Sequence, residues 1–155
     1  MATALAYAAA VPAPVTSEVS TTLSVSAGAA FEVFADAIEI PRWLPLVQTA
    51  RVLASREDGR PSRVAFTRKL ERGSLGYTLE YQYKPDAYMV TWATPMTSNV
   101  VLSGEAKFVA LSSRACLMLY RLVLDLPIVD DLNSNDGHPA SLVVAEFREH
   151  LRRLC

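Results

Sequence analysis

Residues 49–126 constrain the fold more than any other part of the chain. They read as six runs of strand-type pattern, at 49–55, 63–70, 77–83, 88–93, 100–111 and 114–126, separated by turns too short to hold a helix. The turn chemistry is explicit: Glu57-Asp58-Gly59-Arg60-Pro61, the segment from Gly73 to Gly76, Lys84-Pro85-Asp86-Ala87, Thr94-Pro95-Met96 and Ser112-Ser113. Consecutive strands joined this tightly can only pair antiparallel, and a long antiparallel meander twists and curls.

The flanking segments complete an α+β order. Residues 17–25 alternate Val19, Thr21, Leu23 and Val25 with Ser20, Thr22 and Ser24, so they predict a first strand. Ser26 stands as an N-cap before a helix through Ala37, with Phe31, Phe34, Ala35 and Ile38 at helical spacing. Pro41 and Pro45 confine a second helical turn to the region from Pro41 to Leu44, which puts Trp43 on a tight corner. Beyond Pro127 a polar loop, 130–137, precedes Pro139, which opens a last helix with an apolar stripe of Leu142, Val143, Phe147, Leu151 and Leu154. The expected architecture is a curved seven-stranded antiparallel sheet with two short helices after strand one and a C-terminal helix over its concave face. Sheet and helix cannot meet everywhere, so a cavity between them is expected.

Composition narrows the function. The 155 residues are 51% hydrophobic with a net charge of −1, which excludes wholesale disorder and argues against nucleic acid as a partner. Residues 17–155 fit one domain, and 1–16 read as a flexible Ala/Pro-rich tail. No Lys or Arg precedes Arg42, which argues against a secretory signal, a weak one being the alternative. No run reaches eighteen apolar residues, so no membrane span is expected. Cys116 and Cys155 suggest neither a disulfide framework nor a metal site, and a reducing cytoplasm is the default. His138 and His150 lack ligand spacing, so no metal or other cofactor is expected. Twelve Arg stand against three Lys, a bias that base composition would also produce.

The passage Leu23-Ser24-Val25-Ser26-Ala27-Gly28-Ala29-Ala30-Phe31-Glu32-Val33-Phe34, the corner Ile40-Pro41-Arg42-Trp43-Leu44-Pro45 and the segment Ser103-Gly104-Glu105-Ala106-Lys107-Phe108 together resemble the START-related superfamily known as SRPBCC. That resemblance covers residues 17–154 and implies a helix-grip fold holding a hydrophobic or polyketide-like small molecule, as a cyclase/aromatase or as a non-catalytic carrier or sensor. Where a large aromatic often sits in that superfamily this chain has Ala106, which implies a larger cavity.

Candidate site residues follow from the faces of the strands. Val64, Phe66, Arg68 and Leu70 share one face, so Arg68 either points into the cavity or snorkels to water from a strand end. By resemblance to aromatic polyketide cyclases, an interior Arg here would polarise a ligand carbonyl, with Tyr81 or Tyr120 handling protons. Tyr77, Leu79, Tyr81 and Tyr83 face opposite to Glu80, which is a surface acid if the tyrosines line the cavity and an interior base if they do not. Trp43, Phe66, Leu79, Trp92, Leu102, Phe108 and Phe147 are the candidate ligand-lining side chains. The 114–126 run is apolar on both faces, so periodicity cannot orient it, and an exposed apolar face there would suit a homodimer.

Overall fold

The computed structural model describes residues 15–98, 100–125 and 139–154. The strands are β1 (Val15–Leu23), β2 (Val47–Ser55), β3 (Pro61–Lys69), β4 (Ser74–Lys84), β5 (Met89–Ala93), β6 (Val101–Ser112) and β7 (Ala115–Asp125). The helices are α1 (Ala27–Ala35), α2 (Ile40–Trp43) and α3 (Pro139–Leu154). All seven strands form one antiparallel sheet in the order β1-β7-β6-β5-β4-β3-β2. From β2 to β7 each strand pairs with its neighbour in sequence, as short turns dictate; only β1 joins out of order, against β7. No helix among the described residues is long and apolar enough to cross a membrane.

β1 and β2 lie at opposite edges of the sheet, so residues 24–46 must run from one edge to the other. That crossing carries α1 and α2 over the sheet. Ser26 starts α1 as an N-cap, its Oγ accepting from the Ala29 N–H at 3.2 Å. The helix stops at Ala35, where the Asp36 N–H turns back to the Val33 carbonyl, and a 3-10 turn (Ala37–Glu39) leads into α2. Ile38 therefore leaves the expected helical stripe and lies 46% exposed.

Other boundaries differ for identifiable reasons. β1 begins at Val15, within the segment expected to be tail, because pairing with β7 already starts at Val15 opposite Leu124. Gly73 takes a φ of +90°, which closes the β3–β4 turn early and lets β4 begin at Ser74. α3 buries Ala140, Val144, Phe147 and Leu151, with Val143 half-buried against the core, while Leu142 is half-buried and Leu154, expected in the stripe, is exposed. The loop at 130–137, His138, Cys155 and residues 1–14 lie outside the described residues.

The core occupies the concave face. Phe34 is its hub, with ring centroids 5.2 Å from Phe147, 5.5 Å from Trp92, 5.9 Å from Phe108 and 6.2 Å from both Trp43 and Tyr120. β7 resolves the ambiguity in its sequence: Cys116, Met118, Tyr120, Leu122 and Leu124 are buried, while Leu119 and Arg121 face outward. Arg121 pairs with Glu18 across that outer face at 3.5 Å.

Gly104 on β6 is fixed by a close approach. A Cβ there would fall 2.5 Å from the Trp92 ring and 2.7 Å from the Arg121 carbonyl. Gly104→Ala is therefore expected to lower stability by about 1–3 kcal/mol through overpacking. A urea titration measures the loss, and a displaced Trp92 should register in near-ultraviolet circular dichroism.

Candidate ligand-binding cavity

Between the sheet, the 24–46 crossing and α3 lies a cavity of about 70 Å³. Its wall is mostly apolar: Phe34, Ile40, Trp43, Leu44, Val47, Phe66, Leu79, Trp92, Leu102, Leu122 and Val143, with Arg68, Tyr77, Tyr81 and Tyr120 supplying the ionisable groups. Each arrives by a simple local cause. Alternation on β3 turns Val64, Phe66 and Arg68 inward, and the β3–β4 register pairs Phe66 with Tyr77 and Arg68 with Leu75, so Tyr77 is the diagonal neighbour of Arg68. Tyr81 pairs with Trp92, and β7 brings Tyr120 opposite Ala106. The α2 corner drops Trp43 between Phe34 and Phe147, with His150 stacked against it at 6.2 Å.

Arg68 is 8% exposed and lines this cavity, so it does not snorkel to water. Among the described residues seven other arginines form ion pairs with carboxylates: Arg42, Arg56, Arg60, Arg63, Arg121, Arg152 and Arg153. Arg68 forms none. Its Nε is buried without a hydrogen-bond partner, as is the Nε1 of Trp43. A buried cation and two orphaned donors are costly features for a core to retain.

Burial raises the pKa of Tyr77, Tyr81 and Tyr120, the guanidinium of Arg68 pulling down at Tyr77 and Tyr120 without reversing the shift. All three phenols are thus held neutral at ordinary pH and act as hydrogen-bond donors rather than bases. Burial also lowers the pKa of His150, with Glu39 opposing.

Of the sequence candidates, the structure brings Arg68, Tyr81, Tyr120, Trp43, Phe66, Leu79, Trp92 and Leu102 to one wall. Phe108 and Phe147 do not line the cavity. They are 1% and 0% exposed and pack against Phe34 and each other. Tyr77 belongs to the site although sequence reasoning assigned it no role; the β3–β4 hairpin register was the signal that could have found it. Glu80 faces outward and pairs with Arg63 at 2.9 Å, as the inward tyrosines require. Ala106 is fully buried between its cross-strand partners Val90 and Tyr120 and is not part of the cavity wall. A wider, open groove of about 620 Å³ lies over the outer face, lined by residues that include Glu18, Met89, Glu105, Lys107, Leu119 and Arg121. Its charges can reach water, unlike that of Arg68. Among the described residues no cluster of His, Cys, Asp and Glu is disposed to hold a metal ion.

No protein-family model matches the sequence, and no curated relative does. Solved structures do. A START superfamily protein from Mycobacterium smegmatis aligns over 90% of this chain and 99% of its own with a TM-score of 0.75 at 16% identity. The aromatase/cyclase Zhui from Streptomyces sp. R1128 aligns over 90% and 96% with a TM-score of 0.70 at 14% identity. The di-domain aromatase/cyclase BexL of the BE-7585A biosynthetic pathway aligns over 89% of this chain and 46% of its own, with a TM-score of 0.66 at 12% identity. At these identities the likeness shows the fold alone: the chain has a START-like, helix-grip fold.

Proposed function

We propose that this protein binds a hydrophobic, carbonyl-bearing small molecule of polyketide type in the concave-face cavity and acts on it as a cofactor-free cyclase/aromatase. The observation that carries the reading is Arg68, a buried guanidinium without a carboxylate partner among the described residues, in a mostly apolar wall. Support also comes from fold neighbours that are themselves aromatase/cyclases. A guanidinium beside a ligand ketone stabilises the negative charge that develops as the adjacent carbon loses its proton. The enolate carbon then attacks a second carbonyl held nearby, and the new alkoxide takes a proton from Tyr81 or Tyr120, kept neutral by burial. Loss of water completes the ring. The first proton passes from the acidic β-dicarbonyl carbon to water, and water returns a proton to the tyrosinate after the alkoxide is protonated, since the wall supplies no carboxylate or imidazole among the described residues.

That last feature favours a second reading, a carrier that shields such a ligand without chemistry. Incubation with a linear poly-β-ketone, followed by mass spectrometry, separates the two. A product lighter by one water, absent with Arg68→Gln, is the outcome expected of a cyclase. Ligand recovered unchanged but bound is the outcome of a carrier. No binding at all refutes both.

A further inference from the structure

Resting on that reading and going beyond it, we propose that the group seated in the cavity is a two-oxygen monoanion, a carboxylate or a 1,3-dicarbonyl enolate, held jointly by Arg68 and Trp43. Two observations converge. The cavity holds one cation, and no side chain among the described residues neutralises it, although seven other arginines are paired. A permanently charged guanidinium in an apolar wall is compensated only when an anion reaches it, and one such cation balances one negative charge. Two donors stand unsatisfied, the Arg68 Nε–H and the Trp43 Nε1–H, on side chains 8% and 3% exposed. Each needs an acceptor, and neither can offer one, so the complementary group presents two acceptor atoms and needs no donor in return. Carboxylates and dicarbonyl enolates share this chemistry: compact, singly charged, with two oxygens. A neutral ketone offers one acceptor and no charge, and an ammonium group offers only donors.

Trp43 thereby becomes a specificity-determining residue rather than a piece of core. Its indole packs on Phe34 and Phe147 through the ring, which explains its burial but not the unpartnered N–H. A phenylalanine would retain the packing and remove the donor.

Isothermal titration of the full chain with benzoate, 1-phenyl-1,3-butanedione, acetophenone and benzylamine tests the proposal. Benzoate, the diketone or both should bind about tenfold or more tighter than acetophenone, as expected for charge-assisted hydrogen bonds, and benzylamine should not bind. Which of the first two is preferred distinguishes the carboxylate from the enolate. In Arg68→Gln the preference over acetophenone should vanish, because the anions lose far more affinity than the ketone does. In Trp43→Phe it should shrink severalfold, again with acetophenone nearly unaffected. Equal affinity of the anions and acetophenone, or a Trp43→Phe variant that weakens every probe alike, overturns the paired-donor assignment and leaves the hydrophobic cavity standing. Failure of all four probes to bind overturns the assignment and the proposed function together. The wild-type probe series reads the outcome even if a variant fails to fold.

Discussion

Arg68→Met is expected to raise the melting temperature while abolishing the tight binding of anionic ligands. Met fills much of the volume of the Arg stem, contributes an apolar surface to the wall formed by Phe66, Leu79 and Trp43, and removes a buried charge that no carboxylate among the described residues balances. Replacement of buried ionic groups by apolar ones of similar volume can stabilise by about 1–4 kcal/mol. Taking about 1–3 kcal/mol here, and about 2–4 °C per kcal/mol for a chain of this size, the shift is roughly 2–12 °C. Differential scanning calorimetry measures it. A lowered melting temperature would mean that the charge is compensated within the fold, and would remove the main support for a ligand at this position. A raised one, joined to lost binding, would identify Arg68 as a residue retained at the expense of stability, which is the usual signature of a functional site.

Phe34→Ala should produce the largest loss of stability of any single truncation considered. Its ring meets five other aromatic rings, drawn from α2, β5, β6, β7 and α3. Truncation removes the buried ring and leaves a void that these elements cannot all collapse into, at a cost of about 3–5 kcal/mol. That is a large share of the roughly 5–15 kcal/mol that holds a typical domain folded. The midpoint of urea unfolding reads the effect. Phe34→Leu, which keeps most of the volume, should lose far less. If both variants lose equally little, Phe34 is not the hub that joins the crossing to the sheet.

The sheet was legible because its evidence is local. Period-two alternation sets which side chains share a face, and tokens such as Glu57-Asp58-Gly59-Arg60-Pro61 and Lys84-Pro85-Asp86-Ala87 set where the chain reverses. The same alternation placed Arg68 with Val64 and Phe66. Whether its head reached water depended on what covers the end of β3, and that is a tertiary fact. β7 resisted orientation because Leu117, Leu119 and Val123 on its outer face are as apolar as its buried row. The size of the cavity was equally illegible: it depends on how far the Phe34 and Trp43 rings descend from a crossing whose path no periodicity encodes. The orphaned Trp43 N–H could not be read at all, since an unsatisfied donor is a property of its surroundings. The Arg excess has become clearer, because seven of the twelve now have ion-pair partners at the surface and Arg68 stands apart from them.

The placement of β1 has a consequence for the order of assembly. The hairpins from β2 to β7 close over a few residues each, whereas Val19 meets Tyr120 across 101 positions of chain, 120 less 19. Distant pairings wait on loop closure, so near-neighbour hairpins form first and β1 is recruited to a sheet that already exists. The crossing that follows β1 is then laid over that sheet, bringing Phe34 and Trp43 down together. The cavity is in this sense the seam where the two ends of the folding sequence meet, and the cation it encloses loses its water only at that final step.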